Sequence, residues 1–281
     1  MNKSINEIIT IIIVLYKQNL VECLTYQTLI KSLKLSKINY VLIIYNNSSD
    51  INIPMSTDYN LINSKDNGKL FKAYNYALNY SIQIESKWLL LLDQDTEVTS
   101  EYIDKLYCFL KEKMDTNTVA ATPILKDGSK ILSPKNISSF CWWQYDIKNL
   151  GFQKGRIAAF NSLTLISTQF MQSIGGFSSE YPLDMLDHWY YNQIWLQNKN
   201  VYVLDAKINH TLSLLNYEEN VSLKRHEDFL EAERKFISNE FSLFYYITYK
   251  FRLTFRFVKQ FFFFKNDRYY KITFNSLINF K

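Results

Sequence analysis

Four apolar runs in the first third of the chain constrain its fold most: IITIIIVLY at residues 8–16, NYVLIIYNNSSD at 39–50, YNLINSKDNG at 59–68 and KWLLLLDQD at 87–95. Each ends in polar or turn residues. Helix-length stretches intervene, LVECLTYQTLIKSL after the first run and KLFKAYNYALNYSIQ after the third. Strands apolar at every position must be covered on both faces. Their alternation with helices predicts an α/β fold with a parallel sheet sandwiched between helices. Ligands of such sheets collect outside the carboxyl ends of the strands, where the polar tips of these runs would meet.

The fourth run, WLLLLDQDTEVTS, then makes sense: its leucines are core and its aspartates project from the functional end. In extended geometry residues i and i+2 face the same way, roughly 6 to 7 Å apart along the chain. Asp93 and Asp95 can therefore reach one divalent ion, or an ion and a ribose. Two carboxylates that close repel, and a hard cation such as manganese or magnesium relieves the repulsion while binding diphosphate on its other side. The plainer alternative is an acidic turn that closes a strand.

The chain of 281 residues is long enough to bury a core, and six glycines and four prolines are too few for a linker-rich or disordered protein. Cys23, Cys108 and Cys141 form no CxxC pair, so neither a disulfide framework nor a zinc site is indicated, and a reducing cytoplasm fits. Lys3 before an apolar run has the look of a signal peptide. Glu7 interrupts it, however, no small-residue cleavage site follows, and residues 8–16 read as a buried strand. Downstream, GRIAAFNSLTLISTQFMQSIGGF predicts strands and loops with SIGGF as a helix stop. YPLDMLDHWYYNQIWLQNKN then predicts a helix with Pro near its start, and VYVLDAKINH a further strand. The first strand is followed by VLYKQN without a glycine, which excludes a GxGxxG dinucleotide fold and speaks against a nucleotidyltransferase phosphate loop.

The ordered series IIIVLY, YNNSSD, DNGKLFKAYNYAL, WLLLLDQDT and NSLTLIS, followed by GGFSSEYPLDMLDHWYY, resembles glycosyltransferase family 2, especially its rhamnosyltransferase-like bacterial members. The likeness covers roughly the first three-quarters of the chain and lies in the order of the motifs rather than in any one of them. It implies a GT-A fold, a mixed sheet flanked by helices that binds a nucleoside-diphosphate sugar of the dTDP or UDP type. It also implies a divalent metal on the D-x-D and inversion at the anomeric carbon through a carboxylate base. Carried over by position, Tyr16 would flank the nucleotide. Asn46 stands where an aspartate usually accepts a hydrogen bond from the base, and the amide keeps an acceptor but loses the charge. Asp66, Asn67 and Gly68 match the N-x-G element of the donor loop, although DNG is also a good turn on physical grounds alone. Asp93 would lie nearer the ribose and Asp95 on the metal. His210 would complete the metal shell or serve as a polar strand terminus.

The catalytic base is expected from PLDMLDHWYY. Asp184 and Asp187 are three apart, so in a first helical turn they would share a face near the positive end of the macrodipole, which keeps both ionised. The resemblance points to Asp187 as the base, with Asp184, His188 and Trp189 toward the acceptor sugar. Ordinary helix capping is the competing account of both acids. SLKRHED, with Lys224, Arg225 and His226, is either a loop over the diphosphate or a solvated helix surface.

A boundary at residues 215–220 separates this body, residues 1–215, from a C-terminal extension, residues 216–281. From Phe241 onward eight Lys and Arg oppose Asp267 alone, a local +7 against +5 for the whole chain. FSLFYYITYKFRLTFRFVKQFFFF carries too many cations to span a bilayer. Arg252, Arg256 and Lys259 share one helical arc while most aromatics lie elsewhere, as in a helix lying in the inner-leaflet interface beside a polyprenyl-linked or other glycan acceptor. A homodimer contact, or packing onto the body, would use the same helix. No RNA- or DNA-binding pattern accompanies it, so no nucleic-acid partner is expected. The expected protein is thus a cytoplasmic glycosyltransferase held peripherally at the membrane, or a non-catalytic glycan- or nucleotide-binding relative of that fold.

Overall fold

The computed structural model describes residues 7–112, 115–138, 143–210 and 217–278. In chain order the first half comprises β1 (Ile8–Leu15), α1 (Leu24–Leu33), β2 (Asn39–Asn46), β3 (Asn60–Asn63), α2 (Lys69–Gln83), β4 (Trp88–Leu92) and α3 (Ser100–Lys111). There follow β5 (Thr118–Asp127), β6 (Lys130–Ser133), β7 (Lys135–Ile137), β8 (Gln144–Asp146), β9 (Gly151–Gln153), β10 (Ile157–Ala158) and β11 (Thr164–Ser167). The remainder is α4 (Thr168–Ser173), α5 (Leu186–Leu196), β12 (Asn200–Asn209), α6 (Tyr217–Asn220), α7 (Leu223–Glu240), α8 (Leu243–Phe263) and α9 (Asp267–Ile278).

The main sheet has the order β3-β2-β1-β4-β11-β5-β12-β9, with β6 paired to β5. β1, β2, β3 and β4 run parallel, β11 is antiparallel to both its neighbours, and β12 is again parallel to β5. The fold is therefore α/β with a mixed sheet flanked by helices. The all-apolar runs form its centre, with Ile11, Ile12 and Ile13 of β1 and Leu89 to Leu92 of β4 fully buried. Only Asn60–Asn63 of the third run becomes a strand, because this edge position needs a single pairing, to β2. Between β2 and β4 the chain crosses from one side of β1 to the other. This switch of direction opens a crevice at the carboxyl ends of the strands.

The described residues through Asn136, together with Asp146–His210, form one compact unit, and the others form a second. The described residues among 137–145 belong to the second unit although the sequence places them with the first. The expected boundary at residues 215–220 lies partly outside the described residues.

The second unit holds α6 to α9 around a polar centre. Glu233 of α7, almost fully buried, accepts two hydrogen bonds from Arg256 of α8 (2.7 and 3.1 Å) and one from the Tyr249 hydroxyl (2.9 Å), with Arg252 at 3.7 Å. Of the three cations expected on the lipid-facing arc, Arg256 is therefore turned inward, since a buried carboxylate requires charge-assisted donors, while Arg252 stays 39% exposed beside it. His226 is likewise buried rather than displayed with Lys224, which pairs with Glu227 and Asp228 on the surface. Thr273 donates to Gln260 (2.6 Å), so His226 Nε2 donates to Thr273 (3.0 Å) and Nδ1 accepts from Tyr217 (2.7 Å). The directed chain fits a neutral imidazole, and burial lowers its pKa to about 4. Among the described residues no helix is long and apolar enough to cross a membrane.

Candidate active site

The carboxyl ends of β1, β2 and β4 carry three sequence-predicted positions to one edge. In the parallel register Leu15 pairs with Asn46 and Ile13 with Leu92, so Tyr16 and Asp93 follow neighbouring strand ends. Gln94, the middle residue of D-x-D, fastens them. Its Oε1 accepts the Tyr16 N–H (2.8 Å) and its Nε2 donates to the Tyr16 carbonyl (3.3 Å). On the other side of the acidic tip, Thr25 donates to the carbonyls of Asp93 and Thr96 (2.5 and 2.8 Å). The backbone that presents the two aspartates is thus held from both sides.

A second segment arrives from the β11 side. Gly176 has φ +85°, and a Cβ there would lie 2.5 Å from Asn75 Oδ1 of α2. Asn75 instead brackets Phe177, accepting its N–H (2.9 Å) and donating to its carbonyl (2.8 Å). The Pro182 carbonyl then accepts the Leu70 and Phe71 N–H groups (3.0 and 3.1 Å), satisfying the otherwise unpaired start of α2. Met185 takes a left-handed conformation (φ 63°) and α5 begins at Leu186. Asp184 is therefore outside the helix, contrary to the shared first turn expected from spacing, while Asp187 sits in that turn. Gly176→Ala would force both a strained φ and a clash at this bracket. A loss of about 1–3 kcal/mol is expected, readable as a lower Tm by thermal denaturation.

The two segments meet electrostatically. Burial, together with the charges of Asp95 and Asp187, raises the Asp93 carboxyl to about 7 against an opposing hydrogen bond from Tyr74. The Tyr74 hydroxyl is buried without a hydrogen bond of regular geometry; Asp93 is the acceptor acting on it, and Asp187 adds its charge. Asp187 is itself raised by burial, against the charge of His188 and its backbone N–H, which donates to Oδ1 at 2.7 Å. At Asp187 desolvation thus outweighs the helix N-terminus that would keep it fully ionised. A carboxylate with a raised pKa is a better base.

His210 follows the end of β12, with its N–H on the Lys126 carbonyl (2.9 Å) and Nδ1 3.4 Å from the Thr96 hydroxyl. Burial lowers its pKa and Asp95 counters that, so the ring stands beside the D-x-D in its neutral, metal-binding form. Among the described residues no three His, Cys, Asp or Glu side chains converge to hold a metal between them. Asp93 and Asp95 are oxygen ligands of the kind a hard cation takes, and their mutual repulsion is what such a cation relieves. The rest of its shell would come from a bound diphosphate.

Asn46 is buried. Its Nδ2 donates to Ile51 (2.8 Å) and Asn63 (3.0 Å), and its Oδ1 accepts the Ser48 N–H (3.0 Å). The side chain expected on the nucleobase is thus occupied in shaping the loop after β2. Neighbouring Asn47 grips the start of α2, accepting from Gly68 N–H (3.1 Å) and donating to the Lys69 carbonyl (3.2 Å). Asn67 Oδ1 accepts the Lys69 N–H (3.0 Å), and exposed Asp66 pairs with Lys72 (3.1 Å). Tyr16 is half exposed, whereas Asp184, His188 and Trp189 are partly buried around Asp187 in sequence. Tyr190 and Tyr191 are core. Tyr74, Asn47 and Gln94 carry no signal in the sequence that marks them as site residues. Tyr74 lies at an ordinary core position of an amphipathic helix, and nothing in its local pattern marks it.

No protein-family model matches the chain, and no curated protein sequence does. Among solved structures it is similar to S. aureus TarS 1-349, with TM-score 0.56 at 14% identity over 96% of this chain and 80% of that one. The same fragment in complex with UDP-GlcNAc gives TM-score 0.57 at 15% identity, over 97% and 80%. The mannosyltransferase PcManGT from Pyrobaculum calidifontis, in complex with GDP-Man and Mn2+, gives 0.54 at 13% identity, over 96% and 74%. What is shared at these identities is the fold, a GT-A-like α/β arrangement.

Proposed function

We propose that the chain is an inverting, metal-dependent glycosyltransferase that moves one sugar from a nucleoside diphosphate to a lipid-linked or growing surface-polysaccharide acceptor in the cytoplasm. The observation that carries this reading is that Asp93 and Asp95 follow the end of β4 while Asp187 lies in the first turn of α5, on a segment clamped to α2 through Pro182, close enough that the charges of Asp95 and Asp187 both act on the Asp93 carboxyl. The names of the similar structures, with their UDP-GlcNAc and GDP-Man complexes, support it. Asp187 would take the proton of the acceptor hydroxyl as that oxygen bonds to the anomeric carbon and the bond from that carbon to the diphosphate oxygen breaks. Asp95 and Asp93 would hold a divalent cation, manganese or magnesium, which offsets the charge of the departing diphosphate. Tyr16 and the loop of Asp66, Asn67 and Gly68 would border the donor, and Asp184, His188 and Trp189 the acceptor. Rhamnose from dTDP-rhamnose is the favoured donor and UDP-sugars the next.

Asn46 favours one rival, a binding protein without turnover, because its amide is already occupied where a base contact is expected. A thermal-shift series with UDP, dTDP and GDP, with and without manganese, tests donor binding. Stabilisation that requires metal is expected, about 2.7 kcal/mol at a hundredfold excess over Kd, and it should vanish in Asp95→Ala. Binding without metal would overturn the role of the acidic pair. Donor hydrolysis or transfer in the same buffer separates enzyme from binding protein.

A further inference from the structure

α8 contains no Asp or Glu and displays an apolar stripe on its open side. Phe244, Ile247, Phe251, Phe255, Val258 and Phe262 are all exposed, Phe255 to 74% and Phe262 to 71%. Their spacing of 3, 4, 4, 3 and 4 residues keeps them within an arc of about 80° over roughly 27 Å of helix. Scattered exposed apolar residues are ordinary, but a contiguous stripe of this length is not. Exposed Trp143 and Tyr145 of the same unit extend it, lining with Phe251, Phe255 and the partly exposed Arg252 a groove of about 440 Å³.

The surroundings identify the occupant. At 100° per residue Lys259 and Lys250 flank the stripe on opposite sides, roughly 80° and 100° from its centre. Beyond the helix, Lys265, Arg268 and Lys271 are exposed as well. A second copy laid stripe to stripe would oppose two such cationic rims with no acid on either helix to answer them. An anionic bilayer supplies the opposite charge. Phenylalanines enter the acyl boundary, Trp and Tyr sit at headgroup depth, and flanking lysines reach the phosphates. No described helix is long and apolar enough to cross the bilayer, so on such a surface α8 would lie along it.

We propose that the Phe244–Phe262 face of α8, with Trp143 and Tyr145, docks on an anionic lipid bilayer, with Arg252 at its rim, and that this face rather than the Arg256 side enters the interface. The inference does not rest on the enzymatic reading. The full chain would be sedimented with vesicles of phosphatidylcholine, alone or mixed with phosphatidylglycerol. It would be compared with Phe251→Glu/Phe255→Glu and with Lys259→Glu/Lys265→Glu, all four residues being exposed, so that Tm should hold. Partitioning at least roughly tenfold stronger into anionic vesicles is expected. The Phe variant should lose about tenfold or more on both vesicle types, and the Lys variant should lose the preference for anionic lipid together with its salt sensitivity. Wild type remaining in the supernatant, or the Phe variant binding undiminished at an unchanged Tm, would overturn the proposal. So would a dimer in light scattering that the Phe variant dissolves while neither protein binds vesicles, since the stripe would then be covered by a second copy.

Discussion

Asp187→Asn should lower sugar transfer at least about a hundredfold while leaving metal-dependent nucleotide binding in place. The amide is nearly isosteric and retains an oxygen to accept the His188 N–H that Asp187 now receives at 2.7 Å. The local backbone, set by the left-handed Met185 and the Pro182 clamp on α2, has no reason to move. What is lost is a carboxylate whose affinity for a proton is raised by burial. Removing its charge also removes one of the two repulsions on Asp93, so the metal-binding pair is not weakened by the change. The signature is a fall in kcat with KM for the donor nearly constant, about 2.7 kcal/mol in the barrier for a hundredfold loss. Asp95→Ala should behave oppositely, losing nucleotide binding itself. A turnover unchanged in Asp187→Asn would remove this residue from the role of base without touching the acidic pair. Intact turnover in both variants would displace the whole site.

The sheet centre was legible because it is overdetermined. Runs such as IITIIIVL and WLLLL tolerate no solvent on either face, and each one's polar tip marks the carboxyl end where the crevice forms. The two-residue period expected to pair Asp93 with Asp95 does not apply, because β4 stops at Leu92 and Gln94 and Asp95 lie in a turn. The start of α5 was not legible. Spacing alone puts Asp184 and Asp187 in one turn, but the chain is first captured at Pro182 by α2, and Met185 must turn left-handed before the helix begins. Tyr74 was hidden for a related reason: its role depends on a hydroxyl whose partner lies on another element, while its apolar ring satisfies the helix pattern. Asn46 shows the converse. Its position in the motif suggested a ligand contact, but side-chain amides also build turns, and here Ser48, Ile51 and Asn63 occupy it. In the extension, helical phase correctly grouped Arg252 with Arg256. It could not show that Glu233, some twenty residues upstream, takes Arg256 inward and holds Arg252 close to it.

The second large effect is expected at Glu233, where Glu233→Ala should cost about 3–5 kcal/mol in urea or thermal unfolding, although the residue lies far in sequence from every proposed site residue. The side chain is 3% exposed and is held by three short hydrogen bonds from Arg256 and Tyr249. Truncation strands the Arg256 guanidinium and the Tyr249 hydroxyl in a buried setting and leaves a void between α7 and α8. Replacing both charges by apolar residues, as in Glu233→Leu with Arg256→Met, should recover most of the loss, because the cost arises from the orphaned partner rather than from the absence of an attraction. Acid should reveal the same centre. Burial alone would raise the Glu233 carboxyl, yet Arg256 and Arg252 hold it down to about 2, below its ordinary 4.5. A depressed folded pKa means stability fully present above about 4.5 and lost as pH falls toward 2, roughly 3 kcal/mol in all. His226, held near 4 by burial, begins the loss earlier, since the unfolded chain takes up its proton below about 6.5 while the folded one refuses it. Wild-type Tm should therefore fall in two stages, between pH 6.5 and 4 and then below 4.5. In Glu233→Gln the second stage should be smaller, while the first should deepen, since the Glu233 charge no longer offsets that of Arg256 at His226; an identical acid profile in that variant would show that the Glu233 cluster does not carry the folded state of this unit.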